Sequence, residues 1–211
     1  MCRTSWGSAG VTERTAVQPG DRLALFPLNL VLFPGGLLPL RIFEPRYQRM
    51  VSECLREQLP FAVVAIVDGP EAGGVATTAT TGCLARIVDW EQLDDGLLGL
   101  LCEGEARVSV DAIEVEKDKL VRGRVYPLPS VAEQPLPEDR RWMADLLDEL
   151  LRKLGEPFDR LLLDQPSADH VAHRLVELLP LPVADKQRLF ELSDARQQLD
   201  GIAGLISPGR T

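Results

Sequence analysis

The spacing of apolar residues changes once along this chain, near residue 130, and no other feature constrains its fold as much. Before that point apolar residues come in short strings with a period of about two, as strands require; after it they recur about every 3.6 residues, as on one face of a helix. A chain patterned this way is predicted to be α+β, with strands first and helices after. Residues 130–138, where Pro135 and Pro137 interrupt both patterns, read as the linker between the two parts.

Seven strings of strand length occupy residues 22–26, 29–33, 61–67, 82–88, 97–102, 106–110 and 120–126, each bounded by turn formers. Alternation is clearest at 106–110 and 121–126, which predicts antiparallel strands with one wet face. Asp94-Asp95-Gly96 and Glu103-Gly104 have hairpin chemistry, so a meander is expected over 82–126. One helix interrupts the β part, opening at Pro45 and placing Tyr47, Met50, Val51, Cys54 and Leu55 on one side. Residues 68–81, rich in Gly and Thr, read as a long exposed loop.

In the α part, Trp142, Leu146, Leu147, Leu150, Leu151 and Leu154 form one stripe, and Val171, Leu175, Leu178 and Leu179 form another. Two more helices are expected over 183–192 and 195–206, with Pro182 and Ser193 as start signals. Residues 1–20 have almost no apolar periodicity and read as a flexible tail. The expected division is therefore a tail (1–20), a β domain (21–129), a linker (130–138) and a helical bundle (139–211).

The net charge of −9 divides as +1, −5 and −5 over residues 1–20, 21–129 and 130–211. No segment attracts a phosphate backbone overall, so nucleic acid is a poor partner, although Lys117, Lys119, Arg122 and Arg124 form a local basic group. The cysteines, Cys2, Cys54, Cys83 and Cys102, form no C-x-x-C pair and read as small core residues in a reducing cytoplasm. Pro27, Pro34, Gly35, Gly36 and Pro39 break up the longest apolar stretch, residues 23–40, so neither secretion nor membrane spanning is expected.

That broken stretch carries a resemblance. Leu25-Phe-Pro-Leu-Asn-Leu-Val-Leu-Phe-Pro-Gly-Gly-Leu-Leu-Pro-Leu-Arg-Ile-Phe-Glu-Pro-Arg-Tyr47 resembles the opening signature of the Lon protease amino-terminal domain family, L-F-P-L-x-x-x-L-F-P-x-x-x-L-P-L-x-I-F-E-P-R-Y. Thr81-Gly-Cys-Leu-Ala-Arg-Ile-Val88, Leu100-Leu-Cys-Glu-Gly-Glu-Ala-Arg-Val108 and Leu178-Leu-Pro-Leu-Pro-Val-Ala-Asp-Lys-Gln187 are similar to later segments of that family, so the resemblance runs from about residue 22 to the end. It implies a PUA-like, mostly antiparallel pseudo-barrel with one packed helix, followed by a small helical bundle. It also implies a stand-alone relative of a substrate-binding domain. Phe43 is expected in the core beneath the Pro45 helix.

The signature also makes physical sense. Pro27, Pro34 and Pro39 lack ladder donors, which confines their strands to edges or bends. Glu44 precedes the Pro45 helix start, where its carboxylate can meet free backbone N–H groups. Arg41, Glu44 and Arg46 either pin this turn or line a peptide groove, and local geometry is the commoner role. Leu37-Leu38-Pro39-Leu40 places four apolar residues in a row, which cannot all face inward on an alternating strand. Leu37, Leu38, Leu40, Arg41, Glu44 and Arg46 are thus the candidate peptide-binding residues.

Catalytic patterns are missing from the sequence. It contains no G-x-x-x-x-G-K-[ST] phosphate loop and no nucleophile with an evident base, so an enzyme is not expected, nor a cofactor. His170 and His173 share a helix face at a spacing that could meet a metal, but a third ligand is not evident, and two helix-surface histidines are the simpler reading. Asp94-Asp95 and Glu103 with Glu105 read as solvated turn carboxylates, and Trp6, Trp90 and Trp142 as tail, sheet edge and bundle core. The expected function is non-catalytic recognition of unfolded or extended polypeptides, as an adaptor or chaperone-like factor working beside a protease or chaperone. The alternative is an RNA-binding PUA-like protein, which rests on fold analogy and meets the adverse charge.

Overall fold

The computed structural model describes residues 16–130 and 133–206. Its strands are β1 (Asp21–Leu28), β2 (Leu37–Ile42), β3 (Phe61–Asp68), β4 (Thr77–Gln92), β5 (Leu98–Val115) and β6 (Val121–Pro127). Its α-helices are α1 (Pro45–Glu57), α2 (Arg141–Leu154), α3 (Ala168–Leu178), α4 (Val183–Glu191) and α5 (Ala195–Ile206). The strands form one mixed sheet in the order β2-β5-β4-β3-β1-β6. Only β1 and β3 run parallel, with β2 and α1 carrying the chain across between them. The long β5 pairs with β2 and β4 along its first part and with β6 along its second, so the sheet curls back on itself. This is an α+β pseudo-barrel rather than a regular closed barrel, and β2 stays outside it as an edge strand.

Several local expectations are corrected. Glu103-Gly104 is no hairpin; both residues lie inside the single strand β5. The glycine serves a close approach instead: Gly104 N donates to Gly36 O at 2.9 Å, and Gly35 N donates to Gly104 O at 2.7 Å. A Cβ at 104 would lie 2.1 Å from Phe33 O, so two backbones meet where only glycine fits. The hairpin at residues 94–96 does form, with Gly96 at φ +82°. The exposed loop is shorter than expected, because β4 already begins at Thr77, where β-branched threonines suit a ladder with β3.

Residues 29–33 form no strand. Val31, Leu32 and Phe33 are buried in an irregular crossing between sheet and helices, bracketed by Pro27 and Pro34. Helix α1 does begin at Pro45, and it buries Arg46, Tyr47, Met50, Val51 and Cys54 while Leu55 faces out. In α2 the buried row is Met143, Leu147 and Leu151, so Trp142 and Leu154 point outward, contrary to expectation. At 100° per residue, a stripe placed one position off turns a large ring to solvent.

The start of α3 is capped by Ser167, whose side chain accepts from His170 N at 3.1 Å. Gln134 of the proline-rich segment is tied to the same end, donating its N–H to Asp169 Oδ2 at 2.9 Å and accepting from Ala168 N at 2.8 Å. At α5 it is Asp194, not Ser193, that accepts from a first-turn N–H, that of Arg196. Residues 16–20 of the expected tail are held, with Gly20 N donating to Val125 O at 2.8 Å. Residues 1–15, with Cys2 and Trp6, lie outside the described residues.

Two apolar clusters result. The smaller lies within the sheet and includes Leu23, Leu25, Val108 and Val125. The larger draws on both sides of residues 130–138, joining Phe33, Leu38 and Met50 to Leu147, Leu175 and Phe190.

Candidate functional site

The Phe33-Pro34-Gly35-Gly36 turn lies against α3, where two polar residues interrupt an apolar face. Glu177 accepts from Phe33 N at 2.7 Å and pairs with Arg174 at 2.7 Å, while Arg174 Nη2 donates to Pro34 O at 3.0 Å. Gly36 makes room for this carboxylate, since a Cβ there would lie 2.2 Å from Glu177 Oε1. Burial pushes the Glu177 carboxyl up to about 7, against the pull of Arg174 and the Phe33 N–H. Burial, helped by Arg174 and Arg107, holds the His173 imidazole down to about 3, and its ring stacks on Phe33 at 4.5 Å. Neither Arg174 nor Glu177 was singled out from sequence. The available signal was that Arg174 lies three residues after Val171, on the apolar stripe itself.

A second pair of polar residues joins the strands to the end of α4, whose last carbonyls have no helical partners. Arg107 on β5 donates to Phe190 O and Leu192 O, each at 2.9 Å. Gln198 on α5 donates to Leu189 O at 3.0 Å and Leu192 O at 3.1 Å. Around these groups lies a cavity of about 490 Å³, bounded by the Pro34-Gly35 turn, β5, residues 128–130, the 3-10 segment near Leu161, α3 and the α4–α5 turn. His170 and His173 both line it. Burial lowers His170 as well. Among the described residues no group of three or more His, Cys, Asp or Glu is placed to hold a metal ion.

The six residues expected to bind peptide are divided by the fold. Leu38 is buried in the larger cluster, and Leu37 and Leu40 are half-buried. Arg41 is exposed and pairs with Asp95 in the β4–β5 turn, apart from the other charges. Arg46 is only 5% exposed; it pairs with Glu44 at 3.0 Å and donates to Gly74 O and Lys119 O. Glu44 does not cap α1 with its side chain, because Arg46 and Gly73 N draw the carboxylate toward the loop before β4. The pair therefore pins two loops to the start of α1.

Phe43 is 58% exposed, not buried under α1; its neighbour Ile42 takes the inward position on the alternating strand. Replacing Phe43 with Ala is accordingly expected to change stability by less than about 1 kcal/mol in urea unfolding. A loss of about 3 kcal/mol would mean that the ring is buried. The basic group is neutralised in part, since Arg122 pairs with Glu53 and Glu116, while Lys119 keeps its charge and donates to Gly73 O.

The family model for the ATP-dependent protease La (LON) substrate-binding domain matches residues 22–207. The chain belongs to this Lon substrate-binding domain family. A Lon N-terminal domain protein from Xanthomonas campestris shares the fold with a TM-score of 0.71 and 32% identity, covering 89% of this chain and 99% of that one. The N-terminal domain of a Mycobacterium avium complex Lon protease superposes with a TM-score of 0.60 at 15% identity, over 87% of this chain and 97% of that one, which bears on fold alone. Among full-length relatives, the Lon protease of Parabacteroides distasonis is 27% identical over 85% of this chain and 23% of its own length. That of Paraburkholderia phytofirmans is 28% identical over 93% and 25%. The chain thus spans about a quarter of the length of the Lon proteases it matches. Within the described residues of this Lon-type domain, no helix is long and apolar enough to cross a membrane.

Proposed function

We propose that this chain is a non-catalytic recognition module that takes up unfolded or extended segments of other polypeptides, serving protein quality control in the cytoplasm as an adaptor or chaperone-like factor. The observation that carries this reading is the match of nearly the whole fold to a domain described as substrate-binding. Its side-chain chemistry supports the same reading. Cys54 and Cys102 are buried with thiols pushed up to about 12, Cys83 is raised likewise, and His173 is held neutral, so none of these three cysteines offers an activated thiolate.

The contact surface proposed for these segments is the outer strand β2, where Leu37, Leu40 and Arg41 remain accessible and the ring of Phe43 stands out to solvent. An edge strand pairs with extended backbone, and flanking side chains add selectivity. Leu38 anchors this strand in the larger apolar cluster, and Glu44 with Arg46 pins the loops around the start of α1 that follows it.

Fluorescein-labelled, reduced and alkylated casein titrated with the protein is expected to bind with Kd about micromolar, as transient recognition does, with no nucleotide requirement. Phe43→Asp is expected to weaken that binding about fivefold or more while circular dichroism stays unchanged. Absence of binding to the unaltered protein would reject the function, and equal binding by the folded variant would remove β2 as the surface.

A further inference from the structure

The arm made of β2, the first part of β5 and the last part of β4 has a second free edge besides β2. Pairing of β4 with β3 ends at Ala85 and Phe61, and from Arg86 to Gln92 the strand pairs with β5 alone among the described residues. Trp90 N donates to the neighbouring Asp89 Oδ1 at 2.8 Å, so an edge donor is met by a side chain in place of a strand. We infer that this edge takes an extended polypeptide segment in which an apolar residue stands between two lysines or arginines. The inference rests on the polypeptide-recognition reading and adds to it the chemical class of segment and a place for it.

The rows of residues that cross the arm fix what the next strand would meet. Leu40, Leu100 and Trp90 are paired in line, and Trp90 is 58% exposed at the end of this apolar row. A residue set beside it extends the row, and an apolar or aromatic one gains most from the ring. On the opposite face Pro39, Leu101 and Asp89 form one row and Arg41, Gly99 and Glu91 another, so both rows end in a carboxylate at this edge. Side chains alternate along the incoming strand too, which sets the order cation, apolar residue, cation.

Charge commits the edge to a basic partner. Residues 86–103 hold one arginine against five carboxylates, and that arginine, Arg86, is engaged by Glu105 and by Gln58 O. Arg41, the cation that β2 brings to the arm, pairs with Asp95. Among the described residues neither Asp89 nor Glu91 pairs with a cation. An incoming carbonyl would take the Trp90 N–H and leave the Asp89 carboxylate to a cation on the same segment. A second copy of this chain is the poorer occupant: docked antiparallel through the same edge and centred on Trp90, it would set Asp89 against Glu91, and like charges directly opposite destabilise a strand pair.

Two fluorescein-labelled peptides test this with the full chain, one alternating lysine with valine and the other glutamate with valine. The parent is expected to bind the lysine peptide about tenfold more tightly. Glu91→Lys should erase most of that preference, and Trp90→Ala should weaken the lysine peptide about fivefold. Both side chains are exposed, so urea midpoints should stay near that of the parent. Asp164→Lys, an equal change of charge at an exposed position away from the arm, should leave the preference as it was. Equal affinity for the two peptides, or an Asp164→Lys effect as large as that of Glu91→Lys, would overturn the edge, while casein binding by the parent leaves polypeptide recognition standing. A parent dimer in sedimentation equilibrium that Trp90→Ala abolishes would give the edge to a second copy and overturn it likewise. No binding of casein or of either peptide would overturn both.

Discussion

Replacing Arg174 with Ala is expected to destabilise the protein by about 3–5 kcal/mol, the largest single effect anticipated for a charged residue here. Arg174 is 2% exposed, so its removal leaves Glu177 buried without its cation and Pro34 O without its donor. Both groups belong to the clamp that holds the signature turn on α3. The effect should depend on pH in a definite direction. The folded pKa of Glu177, about 7, lies above its ordinary 4.5, so the contribution of its protonation to stability is fully present below pH 4.5 and is lost as pH rises through 7. Without Arg174 the carboxyl rises further, so the deficit of the variant should be larger at pH 8 than at pH 5, growing as pH passes about 7. Arg188→Ala, which breaks an exposed pair with Asp185, is the control and should cost about 0–1 kcal/mol. Urea unfolding at both pH values measures all of this. An Arg174→Ala deficit as small as that of Arg188→Ala would show that the clamp does not hold the turn.

Gly104→Ala is expected to cost about 3 kcal/mol or more, combining overpacking with loss of backbone hydrogen bonds. The added Cβ would sit 2.1 Å from Phe33 O, and because the clashing atom is backbone, no side-chain rotation relieves it. Moving the turn away would break the reciprocal bonds of Gly104 with Gly35 and Gly36. Gly96→Ala is the comparison that separates sterics from backbone strain. Gly96 has φ +82° and nothing within 4 Å of an added Cβ, so its cost should be only the roughly 1–2 kcal/mol of a left-handed alanine. Equal melting temperatures for the two variants would mean that the Gly104 contact is not tight.

The candidate site was legible in part. The signature put a strand edge or bend at Pro34 and the start of α1 at Pro45, both of which depend on local backbone rules for proline. It did not say which side of β2 faces the core. Alternation offers two registers, and packing chose the one that buries Leu38 and Ile42 and turns Phe43 outward. Trp142 was misplaced for the same reason on a helix, where a stripe one residue off still looks amphipathic.

What the sequence determined by itself was the α+β class, the change from strands to helices near residue 130, and membership of the Lon substrate-binding family. Period, turn chemistry and the signature are properties of neighbouring residues, and they survive without knowledge of the fold. The tertiary structure alone decided the Arg174–Glu177 clamp, the close approach at Gly104 and the cavity beside Gln198. Phe33 and Glu177 are 144 positions apart, and no local rule couples them. A charged residue on an apolar stripe is tolerable only when a distant partner arrives, and that arrival is settled by how sheet and helices pack.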